Sequence, residues 1–160
     1  MSEDKSMELK LSYPAKFEED NEVGGYVVSF RDLPNIFTDG ETIEEAMYNA
    51  RDVLNLLLTE MIADKHTITE PSDIRKSEIL IPVSPQVAAP ILLHKLRELR
   101  EYSLAQVARR LNVPYQNYQQ IEKGENLTLK RFERAAEAMG ARVEIILRFD
   151  DEDSIDLASA

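Results

Sequence analysis

Residues 103–124, SLAQVARRLNVPYQNYQQIEKG, contain two short helical patterns with a tight break between them. In the first pattern, apolar side chains recur at the spacing of one buried helix face: Leu104, Val107, Ala108 and Leu111. Ser103 stands just before this helix, where a hydroxyl can cap exposed backbone N–H groups. Asn112 follows it and tolerates the left-handed conformation that a sharp turn requires. The sequence therefore predicts a helix that ends in a tight turn.

A second helix is predicted over residues 115–123, because Pro114 suits the first turn of a helix and Gly124 suits its end. Tyr118 and Ile121 are expected to form its buried face. Its opposite face carries one tyrosine and several uncharged amides: Tyr115, Gln116, Asn117, Gln119 and Gln120. Side-chain amides can pair with base edges in the major groove of DNA. The pattern predicts a helix-turn-helix, although a plain helical hairpin would share its apolar positions.

The same stretch resembles the Xre/Cro type of repressor helix-turn-helix. The likeness rests on the small Ala108, the turn at residues 112–114, the glutamine-rich second helix and the ending at residues 121–124, and it extends over residues 85–148. It implies base contacts from three side chains: Tyr115, Gln116 and Gln120. It implies phosphate contacts, which position the helix without reading sequence, from five others: Ser103, Gln106, Asn117, Lys123 and Asn126. Gln119 could read a base or face solvent.

The charge of the chain is divided unevenly along its length. Residues 1–84 hold 8 Lys+Arg and 18 Asp+Glu, a balance of −10. Residues 85–148 hold 11 and 7, a balance of +4, and residues 149–160 hold five acids and no base. Phosphate contacts supply most non-specific affinity for DNA. Only residues 85–148 therefore have the positive charge that DNA binding requires. The acidic part is better suited to a basic protein partner.

Residues 7–84 alternate between strand and helix patterns. Period-two alternation and β-branched residues predict strands at 7–17, 26–30, 36–38 and 78–83, with turns at 18–22 and at Asp39-Gly40. Thr42 and Glu45 have the spacing of a capping box, and an apolar stripe then predicts a helix over 43–63. The expected order is βββαβ, an α+β unit with the helix on one face of a small sheet.

A second resemblance, to the HicB antitoxins, rests on the segment GGYVVSF at 24–30, on Asp32 and Pro34, and on TDGET and EEA at 38–42 and 44–46. The resemblance implies a partial ribonuclease H-like domain that has lost catalysis. It implies an antitoxin that binds and blocks HicA, a small basic ribonuclease toxin that cleaves mRNA, and that represses its own operon. Five residues are the candidate toxin contacts: Tyr26, Phe30, Asp32, Leu33 and Pro34.

The C-terminal part adds a further helix and a strand to the helix-turn-helix. A helix pattern over 128–139 ends at Gly140, and residues 141–149 then alternate as a strand without an evident partner in their own domain. We expect Val143, Ile145 and Leu147 of this strand to pair with a second subunit, in a homodimer or higher homo-oligomer that binds a palindromic operator. The predicted domains are 7–84, 85–149 and a disordered acidic tail at 150–160.

Composition narrows the remaining functional classes. The chain has no cysteine, no apolar run long enough for a membrane span and no signal-peptide pattern, so a cytoplasmic protein is expected. We expect no catalytic residue, metal or cofactor, because the acids at 41–45 suit a helix N-terminus and Asp32 and Asp39 suit turns. The alternative function is a transcriptional regulator whose α+β domain senses a small ligand.

Overall fold

A computed structural model of the chain describes residues 6–149. Its elements follow the predicted order: β1 Ser12–Glu19, β2 Tyr26–Phe30, β3 Phe37–Gly40, α1 Ile43–Ala63, β4 Glu78–Pro82, α2 Pro85–Leu99, α3 Leu104–Leu111, α4 Tyr115–Glu122 and α5 Leu129–Ala138. The expected α+β part followed by a helical part with a helix-turn-helix is confirmed. None of the helices within the described range is long and apolar enough to cross a membrane.

The four strands form one antiparallel sheet in the order β3-β2-β1-β4. Cross-strand partners such as Ala15 and Phe30, or Tyr13 and Ile81, point to the same face and are fully or almost fully buried there. α1 covers this face with a residue every fourth position: Ala46, Ala50, Leu54 and Leu58. The buried Tyr13 hydroxyl donates to the carbonyl of Thr69 at 2.6 Å, and burial raises the pKa of Tyr13 to about 12.

Two strand boundaries differ from the prediction. β1 begins at Ser12 instead of residue 7, because its ladder with β4 ends at the Ser12–Pro82 pair and only Leu11 accepts one further bond, from Val83 at 3.1 Å. β3 runs to Gly40, so the predicted turn at residues 39–40 lies in a strand. A Cβ at Gly40 would stand 2.3 Å from the Ala46 nitrogen. The glycine therefore permits close contact between β3 and α1.

The start of α1 was predicted correctly. The Thr42 hydroxyl accepts from the backbone N–H of Glu45 at 3.2 Å, as a capping box requires. The Glu45 carboxylate reaches one residue further back than expected and accepts from the N–H of Glu41 at 2.9 Å. Two N–H groups that lack helical partners are thus satisfied at this helix end.

α2 takes part in two hydrophobic cores. Its first half, with Ala88 and Ile91, belongs to the core under the sheet, whereas Leu93 belongs to the core of the helix-turn-helix. The two cores therefore meet within α2, between Leu92 and Leu93. The domain boundary after residue 84 stays a prediction. Ser84, the last residue of the first predicted domain, is held by α1: its N–H donates to the Asn55 side chain at 2.9 Å.

Residues 141–149 form no strand ladder within the single chain that is described here. Val143 is half-buried against the helical core, while four large apolar side chains beyond it are exposed: Ile145, Ile146, Leu147 and Phe149. A strand that pairs only with a second subunit would be unpaired in one chain, so the dimerising strand stays a prediction. The predicted acidic tail at 150–160 lies outside the described residues.

Candidate nucleic-acid interface and partner surface

The predicted turn between α3 and α4 is confirmed in its details. The Ser103 hydroxyl accepts from the Gln106 N–H at 3.1 Å, and the Gln106 side chain accepts from the Ser103 N–H at 2.7 Å. Asn112 ends α3 in the left-handed conformation, with φ of 54°. Both ends of α3 are therefore fixed by the residues that the sequence singled out, and this sets the direction in which α4 leaves the turn.

α4 divides into a buried and an exposed face. Tyr118 and Ile121 are 0% and 9% exposed in the helical core, as expected. All three candidate base readers lie on the solvent side: Tyr115, Gln116 and Gln120. Gln119 is half-buried. Pro114 precedes α4 and no side chain caps its first N–H groups. The helix thus offers amides, a tyrosine and backbone donors on one accessible surface, as a base-reading helix needs.

The five candidate phosphate contacts are all exposed: Ser103, Gln106, Asn117, Lys123 and Asn126. Ser103 and Gln106 already bond to each other in the cap, but each keeps a hydroxyl or amide hydrogen that can be donated. Lys123 caps the C-terminus of α4, and Asn126 follows in a left-handed conformation while its carbonyl accepts from Arg131 at 2.8 Å. Their roles in DNA binding stay predictions.

Arg109 was not among the predicted contacts. It lines a shallow groove of about 470 Å³ at the α3–α4 turn, together with Asn112 and Tyr115. Its guanidinium is exposed beside the first residue of the candidate reading helix. The signal in the sequence was the Arg109-Arg110 pair at the end of α3, which the helical pattern alone does not assign to a surface. Arg110 instead stacks on the Tyr102 ring at 4.5 Å.

Glu122, the last residue of α4, holds the candidate reading helix against α2. Its carboxylate accepts from Arg97 at 2.7 and 3.1 Å and from the Tyr118 hydroxyl at 2.8 Å, and it lies 3.4 Å from His94 Nδ1. Arg97 also donates to the Tyr102 carbonyl at 3.0 Å. Sequence reasoning treated Glu122 only as part of a helix ending, because its charged partners His94 and Arg97 come from α2, more than twenty residues away.

The electrostatics of this network keep Glu122 ionised. Burial alone would raise its pKa, but hydrogen bonds from His94, Arg97 and Tyr118 outweigh burial and lower it. Burial first, and then the nearby carboxylate, raise the pKa of the Tyr118 phenol, so this group stays a donor. The hydrogen bond to Glu122 raises the pKa of His94 despite partial burial. The network is thus a charged clamp between α2 and α4.

The five candidate toxin contacts do not form one surface. Phe30 and Leu33 are 1% and 5% exposed in the core, so in this conformation their side chains are closed to a partner. Tyr26 is half-buried against the same core. The Asp32 carboxylate accepts from the N–H and hydroxyl of Ser72 at 2.8 and 2.5 Å, which fixes a turn. Of the five, only Pro34 is exposed. A buried face cannot be told from a binding face by apolar pattern alone.

Comparison with known proteins covers both parts of the chain. A model of the HicB-like antitoxins of bacterial toxin–antitoxin systems matches residues 12–92, and a helix-turn-helix model matches residues 93–146. The boundary between the two matches coincides with the point in α2 where the two cores meet.

Curated relatives match over most of the chain. It is 31% identical to Antitoxin HicB of Escherichia coli (strain K12) over 125 residues, 78% of this chain and 91% of that protein. It is 32% identical to Antitoxin HicB 2 of Photorhabdus laumondii over 141 residues, 88% and 99% of the two chains. Antitoxin HicB 1 of the same organism is 33% identical over 113 residues, 69% and 70% of the two chains. The chain therefore belongs to the HicB-like antitoxins, which are regulatory proteins and not enzymes, and it carries a helix-turn-helix DNA-binding domain.

Proposed function

We propose that the chain neutralises a HicA-type ribonuclease toxin, which cleaves mRNA, and represses its own operon. The observation that carries this proposal is the shared helix α2, which builds an antitoxin domain and a DNA-binding domain into one connected unit. The opposite charge balances of the two parts support separate roles in toxin binding and DNA binding. The acidic part attracts a basic RNA-binding protein, and the basic part attracts DNA phosphates.

On DNA, α4 lies in the major groove with its amide-bearing face toward the bases. Tyr115, Gln116 and Gln120 read base edges, and the exposed polar residues around them contact phosphates. Arg109 joins the phosphate contacts, since it is exposed beside Tyr115 at the groove of the α3–α4 turn. The Glu122 clamp fixes the angle at which α4 projects from the rest of the domain.

The binding unit is a dimer built through residues 141–149. Exposure of Ile145 and Leu147, at 71% and 87%, supports a contact that one chain alone leaves open. A two-fold axis through this contact places the two α4 helices about 34 Å apart, one turn of DNA, so the operator is palindromic.

The test begins with the operon. The small basic protein encoded next to this gene should copurify with the chain and should cleave mRNA only when the chain is left out. Footprinting on the promoter should protect two symmetric half-sites. A chain that neither binds the neighbouring protein nor protects its own promoter would contradict the proposal.

A further inference from the structure

The antitoxin part carries charges of opposite sign on two different faces. On α1, the exposed charges are mostly acidic: Glu44, Glu45, Asp52 and Glu60, with Arg51 as the one base of the helix. The opposite face of the sheet has a cleft lined by four of the eight Lys+Arg of residues 1–84: Lys16, Arg31, Arg75 and Lys76. The balance of −10 therefore does not describe the whole surface of this part.

The two faces also differ in how their charges are satisfied. In the cleft, Glu78 accepts from Arg31 at 2.9 Å and from the Arg75 N–H at 2.8 Å. On α1, none of the four carboxylates forms an ion pair within residues 6–149. Apart from Glu45, which accepts from the Glu41 N–H, the carboxylates of α1 are thus available to a partner, whereas the carboxylate of Glu78 in the cleft is already used.

Large apolar side chains stand within the acidic surface of α1. Tyr48 is 72% exposed and Leu56 is 59% exposed. Asp52 lies between them, four residues from each, so the three form one row along the outer side of the helix. Apolar anchors surrounded by charged residues are the usual arrangement of a protein interface, and tyrosine is frequent among the residues that dominate binding.

We propose that this outer face of α1 is where the toxin docks, with Tyr48 and Leu56 as anchors and the carboxylates of α1 as the charged rim. The inference rests on the proposed toxin-binding function and adds its location. A ribonuclease must present cations to RNA phosphates, so a helix lined with unpaired carboxylates competes for that same surface. The cation-lined cleft on the other face would repel such a partner.

The experiment uses the full chain and the toxin encoded beside it. In the test variant Tyr48→Ala and Leu56→Ala are combined, and we expect the Kd for toxin to rise about 30-fold or more. The matched control on the other sheet face combines Phe37→Ala and Leu80→Ala, which are 73% and 45% exposed. The control should change the Kd less than about threefold.

Charge is tested separately with Asp52→Asn and Glu60→Gln together. Charges at the rim of an interface act mainly on the association rate constant. This rate constant should therefore fall and lose much of its salt dependence, while the dissociation rate constant changes little. Operator binding and the thermal midpoint should stay at wild-type values in every variant, which shows that the fold is intact.

The outcomes separate the two levels of the proposal. If the wild-type chain does not bind the toxin, the proposed function itself fails. If the wild type binds and the Tyr48/Leu56 variant binds equally well, the function stands and α1 is not the docking face. Loss of binding in the Phe37/Leu80 control alone would place the toxin on the opposite face and overturn the inference.

Discussion

Single residues on and beside α4 should separate base reading from phosphate contact. Gln116 is exposed on the helix, and Lys123 is exposed at its end. Gln116→Ala should cost about 1–3 kcal/mol of binding free energy, at one base position only. Lys123→Ala should weaken binding to all sequences alike and reduce the slope of log K against log salt by about one. Affinities measured on operators substituted at each position, at several salt concentrations, distinguish the two patterns.

One result would contradict the expected difference between the Gln116 and Lys123 variants. An unchanged sequence preference in the Gln116 variant, with uniform weakening instead, would remove Gln116 from the base readers. Exposure alone cannot make this distinction, because a reading amide and a phosphate-binding amide are both open to solvent before DNA arrives.

The partners of Glu122 predict a large effect on stability. The Arg97 and Glu122 side chains are 14% and 8% exposed, so Arg97→Ala would leave a buried carboxylate without its main partner. We expect the free energy of unfolding to fall by about 2–4 kcal/mol. Urea unfolding measures the loss. Arg142→Ala is the control, because its pair with Glu144 is 86% and 65% exposed and should contribute about 0.5 kcal/mol or less.

His94 makes the stability of the helical part depend on pH. The pKa of His94 is raised from 6.5, first by the hydrogen bond to Glu122 and also by Glu98, against burial and Arg97. A raised pKa means that the folded state holds the proton more tightly. The stabilisation is thus complete below 6.5 and is lost as pH rises through the folded pKa. Urea midpoints should fall as pH rises above 6.5 in the wild type and change less in His94→Gln. If the urea midpoint changed equally with pH in the wild type and in His94→Gln, His94 would not be the group responsible.

At the scale of elements, residues 141–149 are the part whose proposed role depends on a second chain. Val143 is anchored on the helical core, and Ile145 and Leu147 beyond it are exposed. Ile145→Asp with Leu147→Asp should convert the proposed dimer to a monomer, because charges would enter its proposed apolar interface. Sedimentation equilibrium measures the change. Arg148→Ala, in the same segment, is the control and should leave the dimer intact. A dimer that survives the double aspartate change must use another surface.

How far the sequence predicts each element depends on where its partners lie. α1 begins and ends where predicted, because Thr42 and the helical stripe are local signals. The turn at Asn112 was likewise local. β1 was predicted too long at its start, since alternation at residues 7–11 does not reveal that β4 pairs only up to Ser12.

Whether a candidate site could be predicted from the sequence also depends on where the partners of its residues lie. The exposed face of α4 could be predicted because one helix contains both its buried and its open positions. The burial of Phe30, a candidate toxin contact, could not be predicted, because the pattern at 26–34 does not say which side α1 will cover, and α1 covers Phe30. The Glu122 clamp was missed because its partners Arg97 and His94 lie in a distant helix.

At the scale of the whole molecule, α2 connects the two halves mechanically. Ile91 is 6% exposed in the core under the sheet, and Leu93 is 1% exposed in the helical core. Asn55 holds the start of α2 through two bonds with Ser84, at 2.8 and 2.9 Å, and Lys95 pairs with Glu70. A helix that loses one core keeps only half of its packing, and short helices depend on packing for stability. Unfolding of either half should therefore destabilise the other.

If α2 couples the two halves, a destabilising change in either half should lower the midpoint of one shared unfolding transition. Ile91→Ala and Leu93→Ala should each cost about 2–4 kcal/mol through lost burial and the cavity that remains. If α2 couples the cores, calorimetry should show one transition in the wild type and in both variants. Hydrogen exchange should also rise in α1 and α5 together, whichever residue is changed. Two transitions, with each variant shifting only its own, would mean that toxin and operator bind to independent halves. A single transition would mean that toxin bound to the sheet half also stabilises the half that holds DNA, because a ligand of the native state stabilises everything that unfolds with its site.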